Sequence, residues 1–299
     1  MNSGGQGDGA GAACAVDFRS QHVISAATLL KQLEGGQPPV LLDIRFRPGL
    51  ADPQAEYDAG HLPGAHYVHL PTVLADAGAH RPAADGALPL PRFDTLQDSL
   101  RSYGINDDSR VVVYDNRSGL SAARAWWVLR WAGLTDVVVL DGGYGYWLGQ
   151  GLPTATARPE PTAGTITLKV SGAPDGGYLP TISTAEAAAF APAGVLVDAR
   201  EAQHFTGSTG GSPAHIPGAQ SLPSSADVNE QGLLLSSQAL RTQAGEAGLT
   251  SGAAVATYCG AGVLAAHKVL TLATLGINAS LYVGSWSAWS AGPDQSLVR

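Results

Sequence analysis

The chain has 299 residues, 44% hydrophobic and 14% charged, with 17 Lys and Arg against 25 Asp and Glu, for a formal net charge of −8. That length suits two ordinary domains, each able to bury a core. The acidic balance without a dense Lys/Arg cluster excludes a nucleic-acid partner, no apolar run approaches the roughly 20 residues that span a bilayer, and two cysteines, Cys14 and Cys259, build neither a disulfide framework nor a zinc site.

Residues 1–17 are rich in glycine and lack the basic and apolar regions of a secretory signal. They read as a disordered tail, and the protein is expected in the cytoplasm. Ser25 and Gly35 then bracket a helix, "AATLLKQLEG", with Ser25 as its N-cap. "VLLDIR" (Val40 to Arg45) reads as a buried strand, "GHLPGA" (Gly60 to Ala65) as a turn that His61 fixes by hydrogen bonds, and "VVVYDNRSGLSAARAWWVLRWAG" as a strand, a loop at Asp115 and a helix. Trp126, Trp127 and Trp131 on that helix are expected in core or interdomain packing.

This first domain is predicted to occupy residues 18–155. A Pro-, Gly- and Thr-rich linker, residues 156–178, follows and carries one strand-like piece, "TITLKV". The second domain, residues 179–299, repeats the first: a capping box at Ser183 and Glu186, then "VLVDAR", then "AHIPGA" with His215 at the turn. Asp43 with Arg45, and Asp198 with Arg200, are expected to hold loops at strand ends through ion pairs. The alternation in both halves predicts an α/β fold of two tandem domains, each a mostly parallel sheet flanked by helices.

The repeat places Asp115 and Cys259 at equivalent positions. In the second copy Ala253 to Tyr258 reads as a buried strand and Val263 to Leu275 as a helix, so Cys259 falls where a strand's carboxyl end meets a helix's amino end. Gly260 and Gly262 allow the backbone N–H groups to turn inward as an anion nest, which favours a thiolate over a thiol. A lone cysteine is more often a small core residue than a nucleophile. An Asp at the equivalent position is foreign to an apolar core slot, and this tips the reading of Cys259 to nucleophile.

These residues resemble the rhodanese-like sulfurtransferases, specifically the tandem two-domain thiosulfate and 3-mercaptopyruvate enzymes. "YDAGHLPGAHYV" (Tyr57 to Val68) and "LYVGSWSAW" (Leu281 to Trp289) are similar to the family's two signatures, and a first domain with Asp at the cysteine position also fits. The resemblance implies a catalytic Cys259 in an active loop formed by the backbone of Gly260, Ala261, Gly262, Val263 and Leu264. It also implies a Cys259 persulfide loaded by a small-molecule sulfur donor, and a thiol, cyanide or thioredoxin-like acceptor. No cofactor or metal is implied.

The loop "CGAGVL" lies closer to the mercaptopyruvate type, with Ala261 and Leu264 where that type carries serine and threonine. Its carboxylate-gripping pair of arginines is also missing: His204 stands at the first place, and no arginine follows Arg200 until Arg241. Arg200, His204 and Trp286 are the candidate substrate-binding residues. Two other readings remain: a catalytically weak sulfur-carrying or regulatory module, and a cysteine phosphatase, whose loop would end in an arginine where this chain has Ala265 and Ala266.

Overall fold

The computed structural model describes residues 18–47, 49–78, 81–160, 162–207 and 215–292. The expected tail, residues 1–17, lies outside them. The first half runs β1 (Val23–Ile24), α1 (Ala26–Leu33), β2 (Val40–Asp43), α2 (Pro53–Ala59), β3 (Ala65–Tyr67), α3 (Leu70–Val73), α4 (Phe93–Ser102), β4 (Val111–Tyr114), α5 (Leu120–Trp131), β5 (Val137–Leu140) and α6 (Gly143–Gly149). The second runs α7 (Thr184–Ala188), β6 (Val195–Asp198), α8 (Ala202–Thr206), β7 (Gln220–Ser221), α9 (Ser237–Glu246), β8 (Val255–Tyr258), α10 (Val263–Ala273), β9 (Ser280–Leu281) and α11 (Ser285–Trp289).

Both sheets are parallel throughout. The first has the order β1-β5-β4-β2-β3 and the second β7-β6-β8-β9, so β4 and β8 hold equivalent interior places. A single parallel bridge, Thr181 to Leu281, stands where a fifth strand of the second sheet would pair. The apolar runs VVVY in β4 and VATY in β8 are buried at every position, as parallel strands covered on both faces require.

The helix signals written in the sequence act as read. Ser25 accepts from the Thr28 N–H and Ser183 with Glu186 closes a reciprocal capping box. The helix after Cys259 ends at Ala273, two residues short of the expected Leu275, and Gly276 follows with φ of 76°. "TITLKV" forms no strand. Three of its N–H groups donate to side chains of the first domain, Thr165 to Asn106, Thr167 to Asp107 and Leu168 to Gln97, and one, Ile166, to the Ile105 carbonyl. An alternating pattern without a neighbouring strand to pair with leaves a segment extended but outside any sheet.

Helices α5 and α10, one from each half, pack against each other, and the residues around them form one continuous core that includes Trp126, Trp127, Trp131, Val269, Leu270 and Cys259. Helix α5 is buried nearly all round, which explains why it has no polar face. Each large apolar side chain removed from water here contributes about 1.5–3 kcal/mol. Trp126, Trp127 and Trp131 are buried members of that shared core.

Burial of His267 on α10 gives the fold a pH dependence. Burial, with the neighbouring Lys268 charge, lowers its pKa from 6.5 to about 3. The unfolded chain thus binds a proton between about pH 6.5 and 3 that the folded chain refuses, and stability falls as pH drops through that window, by up to about 1.4 kcal/mol per pH unit. His22, held near 4 by burial and by Arg130, acts with the same sign. Asp227, whose carboxyl burial raises, offsets part of the loss at the acid end. Urea midpoints measured from pH 7 down to pH 5 should fall for the wild type and fall less steeply for His267→Leu; equal slopes would remove His267 as the cause.

Candidate active site

Cys259 follows the last residue of β8 and Gly262 caps α10 in the left-handed region, φ 78° and ψ 6°. The turn this makes brings the Gly262 N–H to the Cys259 Sγ at 3.1 Å. A methyl group on Gly262 would meet Arg124 Nη1 at 2.9 Å and the Val283 carbonyl oxygen at 3.1 Å, so both the conformation and the space call for glycine there. The thiol is free and 2% exposed.

The first copy shows what such a loop can hold. Gly119 caps α5 with φ 73° and ψ 5°, one residue further from its strand than Gly262 is from β8. Inside this loop the Asp115 carboxylate accepts four backbone N–H bonds, from Arg117 at 2.9 Å, Gly119 at 3.0 Å, Ser121 at 2.9 Å and Ala122 at 3.2 Å, plus the Ser121 hydroxyl at 3.1 Å. The cradle is an anion site satisfied by its own side chain. In the second copy the same position carries a sulfur atom.

A second layer buttresses both loops identically. The Trp286 N–H donates to the Cys259 carbonyl at 2.8 Å and the Ser287 N–H to the Gly260 carbonyl at 3.0 Å; in the first copy Tyr144 donates to Asp115 at 2.8 Å and Gly145 to Asn116 at 2.9 Å. Ser285, the residue the sequence reading missed, holds the Cys259 N–H with its hydroxyl at 3.3 Å and passes its own proton to the Tyr282 carbonyl at 2.8 Å. It sits at φ 52°, the one non-glycine with positive φ among the described residues, where the first copy has Gly143 at φ 56°. A serine kept in that strained region is a local cost of about 1–3 kcal/mol that the surrounding contacts must over-determine. The available signal was the Gly143-to-Ser285 exchange inside the repeat.

The other candidates separate. Arg200 is engaged with Asp198 through three bonds of 2.6–3.0 Å, and its guanidinium lies 4.5 Å from the Trp286 ring centre. Arg45, Asp43 and Tyr144 repeat this stack in the first copy, at 4.7 Å. Arg200 and Trp286 are thus brought together, and Trp286 joins the Cys259 loop through its backbone N–H. His204 is exposed on α8, and its side chain makes no hydrogen bond to the Cys259 loop among the described residues. His61 stacks on Tyr57 and bonds the Tyr57 and Ala157 carbonyls, and His215 stacks on Phe205 and bonds its carbonyl. Both hold their turns.

A cavity of about 870 Å³ opens over the Asp115 loop, and Cys259 does not line it. It lies between the halves and is lined by Arg45, Arg47, Arg117 and Glu230. The carboxylate already fills the anion cradle at its base, so the volume there is not by itself a reaction site.

Residues 25–150 and 183–292 each match the Rhodanese-like domain family. The chain is 39% identical over 285 residues to a putative thiosulfate sulfurtransferase, SseB, of Mycobacterium tuberculosis, covering 94% of this chain and 98% of that one. It is 32% identical to the 3-mercaptopyruvate sulfurtransferase of Escherichia coli K12, covering 85% and 90%. The crystal structure of SseA from Escherichia coli, described as showing the rhodanese fold of 3-mercaptopyruvate sulfotransferases, superposes with a TM-score of 0.75 at 28% identity, covering 88% of this chain and 98% of that one. The chain belongs to the rhodanese family and is an enzyme of the sulfurtransferase class, taking a small-molecule sulfur donor and acceptor. Among the described residues no helix is long and apolar enough to cross a membrane.

Proposed function

We propose that Cys259 carries sulfur between a donor and an acceptor as a persulfide, with 3-mercaptopyruvate favoured over thiosulfate as donor. The observation that carries this reading is the exchange between equivalent cradles: the strand-to-helix loop of the first copy holds the Asp115 carboxylate on four N–H groups, and its counterpart, one residue shorter, holds sulfur at Cys259 against the Gly262 N–H. A cradle built for negative charge supports both thiolate and persulfide anion.

In the first half-reaction the Cys259 thiolate attacks the donor's sulfur, and an S–S bond forms. With mercaptopyruvate the C–S bond breaks, the carbon leaves as the pyruvate enolate, and the donor's thiol proton ends on that carbon. With thiosulfate the donor's S–S bond breaks and sulfite leaves with the electron pair. In the second half a cyanide, small thiol or thioredoxin-like thiolate takes the outer sulfur and the thiolate returns. This is two-step covalent catalysis with ping-pong kinetics. The cytoplasm, where thiols stay reduced, is the compartment in which such acceptors are available.

Arg200, committed to Asp198, offers no fork of two arginines for a carboxylate, so a weak KM for mercaptopyruvate accompanies this reading. The 2% exposure of Cys259 favours a second reading, a sulfur carrier that loads but turns over poorly. Intact-mass measurement after incubation with each donor, then with cyanide, separates them. Gain of one sulfur on Cys259 followed by its rapid loss supports the enzyme; gain without release at a kinetically useful rate supports the carrier. No gain with any donor defeats both.

A further inference from the structure

Arg124 belongs to α5 of the first half, yet its guanidinium ends at the loop of the second. The residue is fully buried, at 0% exposure. Its Nη2 donates to the Leu88 carbonyl at 3.0 Å and reaches the Leu74 carbonyl at 3.5 Å. Its Nε and Nη1 have no hydrogen-bond acceptor among the described residues. Nη1 points at Gly262, within 2.9 Å of where that residue's Cβ would stand, and Gly262 is the residue whose N–H contacts the Cys259 sulfur.

A guanidinium taken out of water with two nitrogens unsatisfied is expensive unless an anion is near. Burial lowers its pKa to about 10, and the charge of Cys259 is the interaction that opposes the lowering. At neutral pH it therefore stays a cation. The active loop itself, "CGAGVL", has no basic residue.

We infer that Arg124, supplied by the domain without a cysteine, is the positioning cation of the Cys259 loop, holding the thiolate and then the persulfide anion in place from the far side of Gly262. This rests on the persulfide reading above and gives the first domain a part in the chemistry. No acidic or basic residue lies in the first turn of α10. Other charged groups packed around the loop are already matched. Asp198 and Arg200 at the end of β6 bind each other, Lys268 and Asp227 do the same behind α10 with a neutral His267 beside them, and Arg81 pairs with Asp85 on the first-domain segment facing α11. Tyr258 and Tyr282 stay protonated because burial raises their phenols. Arg124 is the cation left to serve Cys259.

The test is the thiolate ultraviolet absorbance as a function of pH, taken as the difference between each protein and its Cys259→Ser counterpart so that Cys14 cancels. It is run on the full chain and on Arg124→Lys, Arg124→Gln and Arg124→Met, beside the rate of sulfur loading from thiosulfate. Removing an opposite charge from within about 4–6 Å of a titrating thiol raises its midpoint by about 1–3 units. Arg124→Gln and Arg124→Met should show that rise and load roughly 10- to 1000-fold more slowly at pH 7, while Arg124→Lys retains most of both. Arg124→Gln keeps a donor for the Leu88 carbonyl and is read alone if Arg124→Met does not fold. A folded Arg124→Gln whose midpoint matches the wild type overturns the inference. A wild type that takes no sulfur overturns the persulfide reading instead, and the titration still reports whether Arg124 and Cys259 are coupled.

Discussion

Cys259→Ser is expected to lower sulfur transfer by about four orders of magnitude or more, while the melting temperature stays within about a degree or two of the wild type. The loss is large because the nucleophile is the group itself, and removing the central member of a catalytic unit costs nearly everything that unit contributes. A serine hydroxyl remains protonated at neutral pH, so the cradle has no anion to hold and no sulfur-accepting atom to present. The fold is spared because the replacement is nearly isosteric and its oxygen still accepts the Gly262 N–H, which now contacts sulfur at 3.1 Å. Steady-state rates with mercaptopyruvate and cyanide, together with thermal unfolding, check both halves. Retention of more than about a hundredth of the activity would mean that sulfur reaches the acceptor without Cys259, either directly or by way of Cys14, and Cys14→Ser in the same background separates the two.

The α/β class and the duplication were legible because their signals are local and repeated: apolar runs of strand length, helix caps at Ser25 and Ser183, and Pro-Gly-Ala turns in both halves. The strand-to-helix place of Cys259 was legible for the same reason. What escaped depends on contacts between segments far apart in the chain. Arg124 reads in sequence as one polar residue in a tryptophan-rich helix; only the packing of α5 on α10 turns it toward Gly262. Ser285 reads as half of a Gly-Ser turn; its positive φ, shared with Gly143 in the first copy, belongs to the folded turn, and only that turn brings its hydroxyl to the Cys259 N–H. "TITLKV" has strand residues but no partner strand, so period alone misled. Propensity describes a segment by itself, while pairing and charge compensation belong to the assembled molecule.

Lys268→Met is expected to destabilise the protein by about 3–5 kcal/mol, and the double variant Lys268→Met/Asp227→Leu to recover most of that loss. Lys268 lies on α10, the helix that starts at the Cys259 loop, and its Nζ meets Asp227 Oδ1 at 2.6 Å with both side chains 4% exposed. Burial pushes the Asp227 carboxyl upward and Lys268 opposes it, while Oδ2 finds no hydrogen-bond partner among the described residues. The single variant therefore strands a carboxylate in the core, and that carboxylate must either remain charged without a partner or take up a proton. The double variant removes both charges and leaves an apolar contact, which in such sites is often no worse than the pair. Denaturant midpoints for the wild type, both single variants and the double give the coupling directly. Single losses that simply add in the double variant would show that the pair is not the source of the cost. Recovery would instead tie the anchoring of α10 behind the active loop to charge compensation between Lys268 and Asp227.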